Sequence, residues 1–184
     1  MNYAVIKKND IANGPGVRVS LFVSGCRHRC PGCFNSEAWD FNYGSTFTDN
    51  TVYEIIEAMK PSYITGLSLL GGEPFERENR EGLIRLVSKV REALTDKSVW
   101  CYTGFTFEDI AGGMLGEDAA ELLGSIDVLV DGKFVNELKD PSLLFRGSSN
   151  QRIIDVRKSL GSGKPVLVDG VWERKMGSGD IYEN

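Results

Sequence analysis

The segment that decides the fold is Ser24–Asn35, which reads SGCRHRCPGCFN. Its three cysteines, Cys26, Cys30 and Cys33, have the spacing C-x3-C-x2-C, and the fourth cysteine of the chain, Cys101, lies far away in sequence. A structural zinc ion takes four protein ligands, and a protein-bound iron–sulfur cube normally takes four cysteines. Three thiolates on one short loop therefore leave either centre one ligand short, and an open iron can bind a small molecule.

Two other interpretations are compatible with these cysteines. A zinc site would need His28 or Cys101 as its fourth ligand, although zinc ligands more usually come as two separated pairs. Disulfide bonds are disfavoured, because residues 1–10 lack the apolar core of a secretory signal. Clustered cysteines in a reducing compartment indicate metal binding or catalysis instead.

Further segments extend the pattern beyond the cysteine loop. Residues 10–18 read DIANGPGVR, residues 131–135 read DGKFV, residues 139–143 read KDPSL and residues 146–151 read RGSSNQ. With the cysteine spacing after an apolar strand, they resemble the radical S-adenosylmethionine (SAM) superfamily. Within it, the chain resembles glycyl-radical-enzyme activases of the anaerobic ribonucleoside-triphosphate reductase-activating family, over residues 1–157.

The resemblance implies two cofactors and a set of residues that bind them. It implies a [4Fe–4S] cluster on Cys26, Cys30 and Cys33, with SAM on the open iron. The G-G-E-P stretch at residues 71–74 matches one that contacts the SAM amino group in the family, and its glycines would let the backbone approach the ligand. A D-x-K match at residues 131–133 could pair with the SAM carboxylate. The residues implied to bind SAM are Gly32, Cys33, Phe34, Gly71, Gly72, Glu73, Pro74, Asp131 and Lys133. Because position 32 is glycine rather than an aromatic residue, only its backbone could touch the adenine.

The same resemblance implies an enzyme without acid–base catalytic residues. The implied reaction is reductive cleavage of SAM, which generates a glycyl radical on the large subunit of anaerobic ribonucleoside-triphosphate reductase. A flavodoxin- or ferredoxin-type protein is the implied electron donor. Arg27, His28 and Arg29 are expected to be exposed at the mouth of the site, where the partner would dock. The alternatives are an activase of a pyruvate formate-lyase type enzyme and, less favoured, a zinc-binding adaptor.

Several motifs also have purely structural interpretations. The two glycines can form an ordinary turn before a helix, and Lys133 can be a solvated side chain after an Asp-Gly turn. Residues 146–151 can contact SAM or a partner, or can be a polar loop before a strand. Cys101 lies inside an apolar strand, which predicts a small buried hydrophobe.

Composition limits the range of partners. The 184-residue chain has a net charge of −5, which disfavours nucleic-acid binding because that normally requires a basic face. No apolar run approaches the length of a membrane span. We therefore expect a cytoplasmic protein without nucleic-acid or membrane partners.

Apolar periodicity predicts alternating strands and helices. Strands are predicted at Val17–Val23, Ile64–Leu70, Val99–Tyr102, Ile126–Val130 and Ile153–Val156. Helices are predicted from Thr48 or Asp49 to the residue before Pro61, over Leu83–Leu94 and over Glu117–Leu123. The alternation predicts an α/β fold with a mostly parallel sheet. The strands are too few for a closed eight-fold barrel, so an open partial (β/α) barrel is expected, as the resemblance also implies.

The end of the chain changes character. We predict a radical SAM domain over residues 1–157 and a glycine-rich tail over residues 158–184. Within the tail, Asp169-Gly170 lies between the apolar runs 165–168 and 171–174. An Asp-Gly pair in that setting predicts a β-hairpin.

Overall fold

One seven-stranded sheet organises the molecule, for which a computed structural model describes residues 1–170. Its strands are β1 (Asn2–Asp10), β2 (Val17–Val23), β3 (Ser45–Thr46), β4 (Ile64–Gly71), β5 (Ser98–Tyr102), β6 (Val128–Asp131) and β7 (Arg152–Asp155). Their order across the sheet is β3-β1-β2-β4-β5-β6-β7. The four central strands β2, β4, β5 and β6 run parallel, whereas β1, β3 and β7 add to the two sides in antiparallel orientation.

Helices separate the parallel strands along the chain. Among the described residues, the α-helices are α1 (Asp49–Met59), α2 (Arg77–Ala93), α3 (Phe107–Ala111), α4 (Glu117–Ser125) and α5 (Val156–Ser162), and short 3₁₀ turns cover Ser36–Trp39 and Asn136–Leu138. The predicted start of α1 is confirmed, since Thr48 precedes it and donates its backbone N–H to Thr51 Oγ1 at 3.1 Å. Helix α1 lies between β2 and β4, α2 between β4 and β5, and α3 and α4 between β5 and β6. These are the βαβ units that place successive strands side by side in parallel.

The main core lies between the sheet and the helices. Alternate residues of β4 and β5, such as Leu67, Leu69 and Cys101, are fully buried there and share the core with Leu83 and Leu86 of α2. Alternation follows from the strand itself, because successive side chains point to opposite faces. The prediction that Cys101 is a buried hydrophobe is confirmed.

The predicted α/β fold is confirmed, with differences at the ends of elements. Strand β6 begins at Val128 rather than Ile126, because Ile126 ends α4 and donates its N–H to Leu123 O. Strand β7 ends at Asp155, whose side chain accepts the N–H of Lys158 at 3.0 Å and so caps α5. Strands β1 and β3 and helices α3 and α5 were not predicted. Strand β1 is mostly exposed or half-buried, so it lacks a clear apolar pattern.

The first part of the predicted tail lies beside β7. The N–H of Val168 donates to Ile153 O and the N–H of Asp155 donates to Val166 O, both at 2.9 Å. The second strand of the predicted hairpin falls outside the described residues. The division after residue 157 stays a prediction, and α5 runs across that position. Within residues 1–170 no helix is both long and apolar enough to cross a membrane.

Candidate functional site

A cavity of about 620 Å³ opens at the carboxyl ends of the central parallel strands. Each loop that follows these strands contributes to its wall: the cysteine loop after β2, Gly71 and Gly72 at the end of β4, Gly104 after β5 and Gly132 after β6. Ligands of open α/β sheets bind at this edge. A larger groove of about 830 Å³ lies between α2, α4 and α5, away from the cysteines. The candidate site is therefore the smaller cavity, because it combines reactive thiols with the edge of the sheet where ligands bind.

The three cysteines of the loop line this cavity and are half-buried. Burial raises the pKa of the Cys26 thiol to about 11, although the backbone amides of His28 and Arg29 act in the opposite direction. Burial also raises the pKa of Cys30, and the nearby charge of Cys33 adds to the shift. The N–H of Asn35 donates to Cys33 Sγ at 3.4 Å. Backbone donors directed at sulfur suit thiolates that bind metal.

The spacing of the possible ligand side chains distinguishes a site for a single metal ion from a site for a cluster. Within the part of the chain that the structure describes, no three His, Cys, Asp or Glu side chains converge closely enough to hold one metal ion. In a cluster, each thiolate binds an iron of its own rather than a shared ion. Three thiols on one loop, with amide donors to sulfur and a cavity beside them, fit an iron–sulfur cluster with an open iron.

Gly32 and Phe34, two other residues of the loop, differ in their position relative to the cavity. Gly32 has a φ of +74°, and a Cβ there would come within 2.6 Å of Asn136 Oδ1, so glycine is required by the protein itself. Gly32 is not among the residues that line the cavity, whereas Phe34 is. Phe34 is 77% exposed, and its ring centroid lies 6.4 Å from that of Phe134. Lys139 Nζ lies 4.9 Å from the centroid of the Phe34 ring.

The protein itself requires glycine at positions 71 and 72. A Cβ on Gly71 would lie 2.7 Å from the Cα of Phe22, and a Cβ on Gly72 would lie 2.6 Å from Gly25 O. The backbone of this stretch is bonded to the start of the cysteine loop, since Gly72 N–H donates to Val23 O at 2.7 Å. A Cβ on either glycine would therefore collide with protein backbone, and contact of this stretch with SAM stays a prediction.

Glu73 and Pro74, the other half of that motif, are both buried. The Glu73 carboxylate lines the cavity and accepts hydrogen bonds from Thr103 Oγ1 at 2.8 Å and from Gly104 N–H at 2.7 Å. It also accepts the N–H of Phe75 at 2.9 Å. Pro74 is not among the cavity-lining residues.

The expected exposure of the basic loop residues is found for Arg27 and Arg29 but is wrong for His28. Arg27 is paired with Glu76 and Glu78, which neutralise its charge, and its guanidinium lies 4.3 Å from the centroid of the Phe41 ring. The side chain of His28 is only 9% exposed, with Nε2 at 3.0 Å from Glu73 Oε2. Of these three basic residues, only Arg29 is exposed and makes no ion pair or ring contact with another described residue. Its backbone φ is +48°.

Asp131 and Lys133 lie beside the cavity rather than in its lining. The buried Asp131 carboxylate pairs with Arg152 and accepts the N–H of Phe107 at 2.8 Å. Lys133 is exposed, and its charge lowers the pKa of Cys30, which shows that the two residues are near each other.

The RGSSNQ segment at residues 146–151 packs onto the DGKFV segment at residues 131–135. Asn150 Nδ2 donates to Lys133 O and Gln151 Nε2 donates to Gly132 O, both at 2.9 Å. Arg146, Gly147 and Gln151 also line the cavity. The two motifs therefore form one structural unit at the rim of the site.

Comparison with known proteins gives the family. A family model described as a 4Fe-4S single cluster domain matches residues 12–154. The anaerobic ribonucleoside-triphosphate reductase-activating protein of Enterobacteria phage T4 is 44% identical over 173 residues, which cover 94% of this chain and 99% of the relative. The protein of the same name from Escherichia coli (strain K12) is 42% identical over 159 residues, which cover 85% of this chain and 100% of the relative. The chain belongs to the anaerobic ribonucleoside-triphosphate reductase-activating protein family. The resemblance seen in the motifs is thus confirmed.

Tyr102 and Ile11 are among the cavity-lining residues that sequence reasoning missed. The Tyr102 hydroxyl is buried without a hydrogen-bond partner among the described residues. Ile11 lies at the rim of the cavity and is 74% exposed. Both stand next to recognised features, Tyr102 at the end of a predicted strand and Ile11 inside the DIANGPGVR segment, but neither belongs to a residue type that marks a site by itself.

Proposed function

We propose that this protein activates anaerobic ribonucleoside-triphosphate reductase by generating a glycyl radical on the large subunit of that enzyme. The observation that carries the proposal is the position of Cys26, Cys30 and Cys33 around one cavity at the carboxyl ends of parallel strands. Membership of the activating-protein family supports the same substrate. Reductive cleavage of SAM is the chemistry that a reduced [4Fe–4S] cluster would supply there when bound.

The chain's own residues bind, orient and shield in this proposal. The three thiolates would hold the cluster, and the missing fourth ligand would leave one iron for SAM. Gly71, Gly72 and Phe34 line the space beside it, and the cavity is within the range of about 300–1,000 Å³ that is usual for small-molecule sites. SAM-binding roles for Gly32, Pro74, Asp131 and Lys133 stay predictions, because these residues lie outside the lining.

Three further features complete the proposal. We place the cavity at the mouth of an open partial (β/α) barrel built on the central parallel strands. We assign electron supply to a flavodoxin- or ferredoxin-type protein. We assign the protein to the cytoplasm, because a reducing compartment keeps the loop thiols available to the cluster.

The decisive experiment is electron paramagnetic resonance (EPR) spectroscopy of the activated partner. Protein purified without oxygen should contain iron and sulfide, and with reductant and SAM it should produce a glycyl radical on the reductase large subunit. Cys30→Ala should produce none. Cleavage of SAM without a radical on the reductase, but with one on a pyruvate formate-lyase type enzyme, would contradict the proposed substrate.

A further inference from the structure

We propose that His28 is a positioning residue: it holds the cysteine loop against the carboxylate of Glu73, which joins three loops of the site. The three loops are the cysteine loop, the G-G-E-P segment and the turn Thr103–Phe105. The inference rests on the proposed function only in taking the loop cysteines as cluster ligands. It assigns the Glu73 carboxylate to the protein rather than to the SAM amino group.

The surroundings of the carboxylate leave little acceptor capacity for a ligand. An ionised carboxylate offers about four acceptor positions. Oε1 accepts from Phe75 N–H and Thr103 Oγ1, and Oε2 accepts from Gly104 N–H. The remaining side of Oε2 faces the His28 ring, whose Nε2 lies 3.0 Å away but is not aligned for a hydrogen bond. Three of the four positions are therefore used by the protein, and the His28 ring covers the fourth.

Burial makes these contacts necessary. Glu73 is 1% exposed, and a buried charge is costly unless it is paired and hydrogen-bonded. Loss of one partner leaves the others to compensate, so the three loops depend on each other through one side chain. Thr103 and Gly104 come about thirty residues after Glu73 in the chain, so the carboxylate joins segments that are distant in sequence.

His28 is packed into this junction as well as facing the carboxylate. Its ring centroid lies 4.5 Å from that of Phe105 in a T-shaped arrangement. A Cβ on Gly104 would come within 2.5 Å of the His28 ring. His28 is two residues from both Cys26 and Cys30, so a shift of the loop backbone at His28 would be transmitted to both cysteines.

The test is a double-mutant cycle on iron retention. His28→Phe keeps a ring against Phe105 but removes the nitrogen, and Glu73→Gln removes the charge. We expect each variant, loaded with its cluster under anaerobic conditions, to release iron to a chelator about tenfold faster than the unaltered protein, the usual scale for residues that support metal ligands. The double variant should release iron no faster than the more affected single variant.

Two controls separate positioning from general loss of stability. Arg29→Gln alters an exposed residue of the same loop. As a single variant it should leave the rate of iron release unchanged, and combined with Glu73→Gln it should not increase the rate further. His28→Gln, whose amide nitrogen can reach the position of Nε2, should restore slow release. The EPR spectrum of the reduced cluster should change in His28→Phe but not in Arg29→Gln, a difference that a purely global effect on folding would not give.

The inference fails if His28→Phe releases iron at the unaltered rate, or if the effects of His28→Phe and Glu73→Gln multiply. Neither SAM nor the reductase enters this experiment, so its failure is distinct from failure of the proposed function. If the unaltered protein held no iron, the proposed function would fail. The same double-mutant cycle, measured by thermal denaturation of the iron-free variants, would still decide whether His28 and Glu73 are coupled. If His28→Phe did not fold, the comparison of His28→Gln with Arg29→Gln would decide it: faster release from His28→Gln overturns the inference.

Discussion

Cys101 and the cysteines of the loop differ in everything that surrounds their sulfur atoms. Cys101 lies in β5 between Leu69 of β4 and Leu129 of β6, is fully buried in the main core, and has a pKa raised well above its ordinary value by burial. The loop cysteines are half-buried beside a cavity, and backbone amides point at their sulfurs. The same residue type is thus a filler of volume in one region and a candidate ligand in the other.

The two regions are also held together by different forces. The core around Cys101 depends on apolar packing, with residues such as Leu67 and Leu83 fully buried. The site depends on buried polar groups, among them Glu73 and Asp131, whose hydrogen bonds connect loops that are distant in sequence. Apolar packing tolerates substitutions that conserve volume, whereas removal of one partner of a buried charge is strongly destabilising.

The largest expected effect is on iron content. Cys26→Ala, Cys30→Ala and Cys33→Ala should each reduce iron and sulfide to background, because three thiolates are the minimum that holds the cluster. Cys101→Ala should retain both, since its sulfur faces the core. Metal and sulfide analysis after anaerobic purification measures this, and loss of iron from Cys101→Ala would break the comparison. Zinc in place of iron in the unaltered protein would indicate an adaptor instead of an enzyme.

A second effect should be confined to the core. Leu67→Ala should lower the free energy of unfolding by about 2–5 kcal/mol, because it leaves a cavity in a fully packed region. Ile11→Ala, at the exposed rim of the site, should change that free energy by less than about 0.5 kcal/mol. Urea denaturation of the iron-free proteins measures both changes. Equal decreases in the free energy of unfolding would show that the core and the rim contribute alike to stability.

Substitution of two glycines by alanine should change the stability of the protein in opposite directions. Gly72→Ala would bring a Cβ to 2.6 Å from Gly25 O and 2.9 Å from Ala38 O, so it should destabilise the protein by about 1–3 kcal/mol and lower its iron content. Gly124→Ala in α4 meets nothing within 4 Å and should stabilise by about 0.5–1 kcal/mol, because alanine favours helix. If Gly72→Ala weakened SAM binding while iron and stability stayed unchanged, the glycine would instead be required by the ligand.

The smallest effect concerns the surface of the cysteine loop and depends on pH. The Arg27 guanidinium lowers the pKa of Glu78 from its ordinary 4.5 to about 2. A carboxyl with a lowered pKa contributes stability above its unfolded-state pKa, and that contribution is lost as the pH falls from about 4.5 towards 2. Because the pair is exposed, Glu78→Gln should cost only about 0.2–1 kcal/mol at pH 7. Urea denaturation at pH 7 and pH 3 should show the difference shrinking at the lower pH, and a constant difference would exclude the ion pair as its cause.

Local sequence patterns predicted most of the parallel half of the fold. The strand Val17–Val23 has its predicted bounds, and α1 and α2 contain the predicted apolar stripes. The missed strand β1 lies near one side of the sheet, where three of its nine residues are exposed at consecutive positions and no apolar alternation survives. Such a strand is stabilised by pairing with β2. This is a contact between two segments, so the sequence pattern of neither segment alone indicates it.

The sequence by itself determined where metal binding is expected, because C-x3-C-x2-C spacing keeps three thiols on one short loop whatever surrounds them. It also determined helices α1, α2 and α4 and the buried strands, because those depend on periodic burial within a segment. Only the tertiary structure decided that Arg27 is neutralised by Glu76 and Glu78, that His28 is packed against Phe105, and that Glu73 joins three loops. Those partners lie about thirty to seventy-seven positions apart in the chain, and the charge or hydrogen-bonding capacity of a residue does not specify which distant group will satisfy it until the sheet brings the loops to one edge.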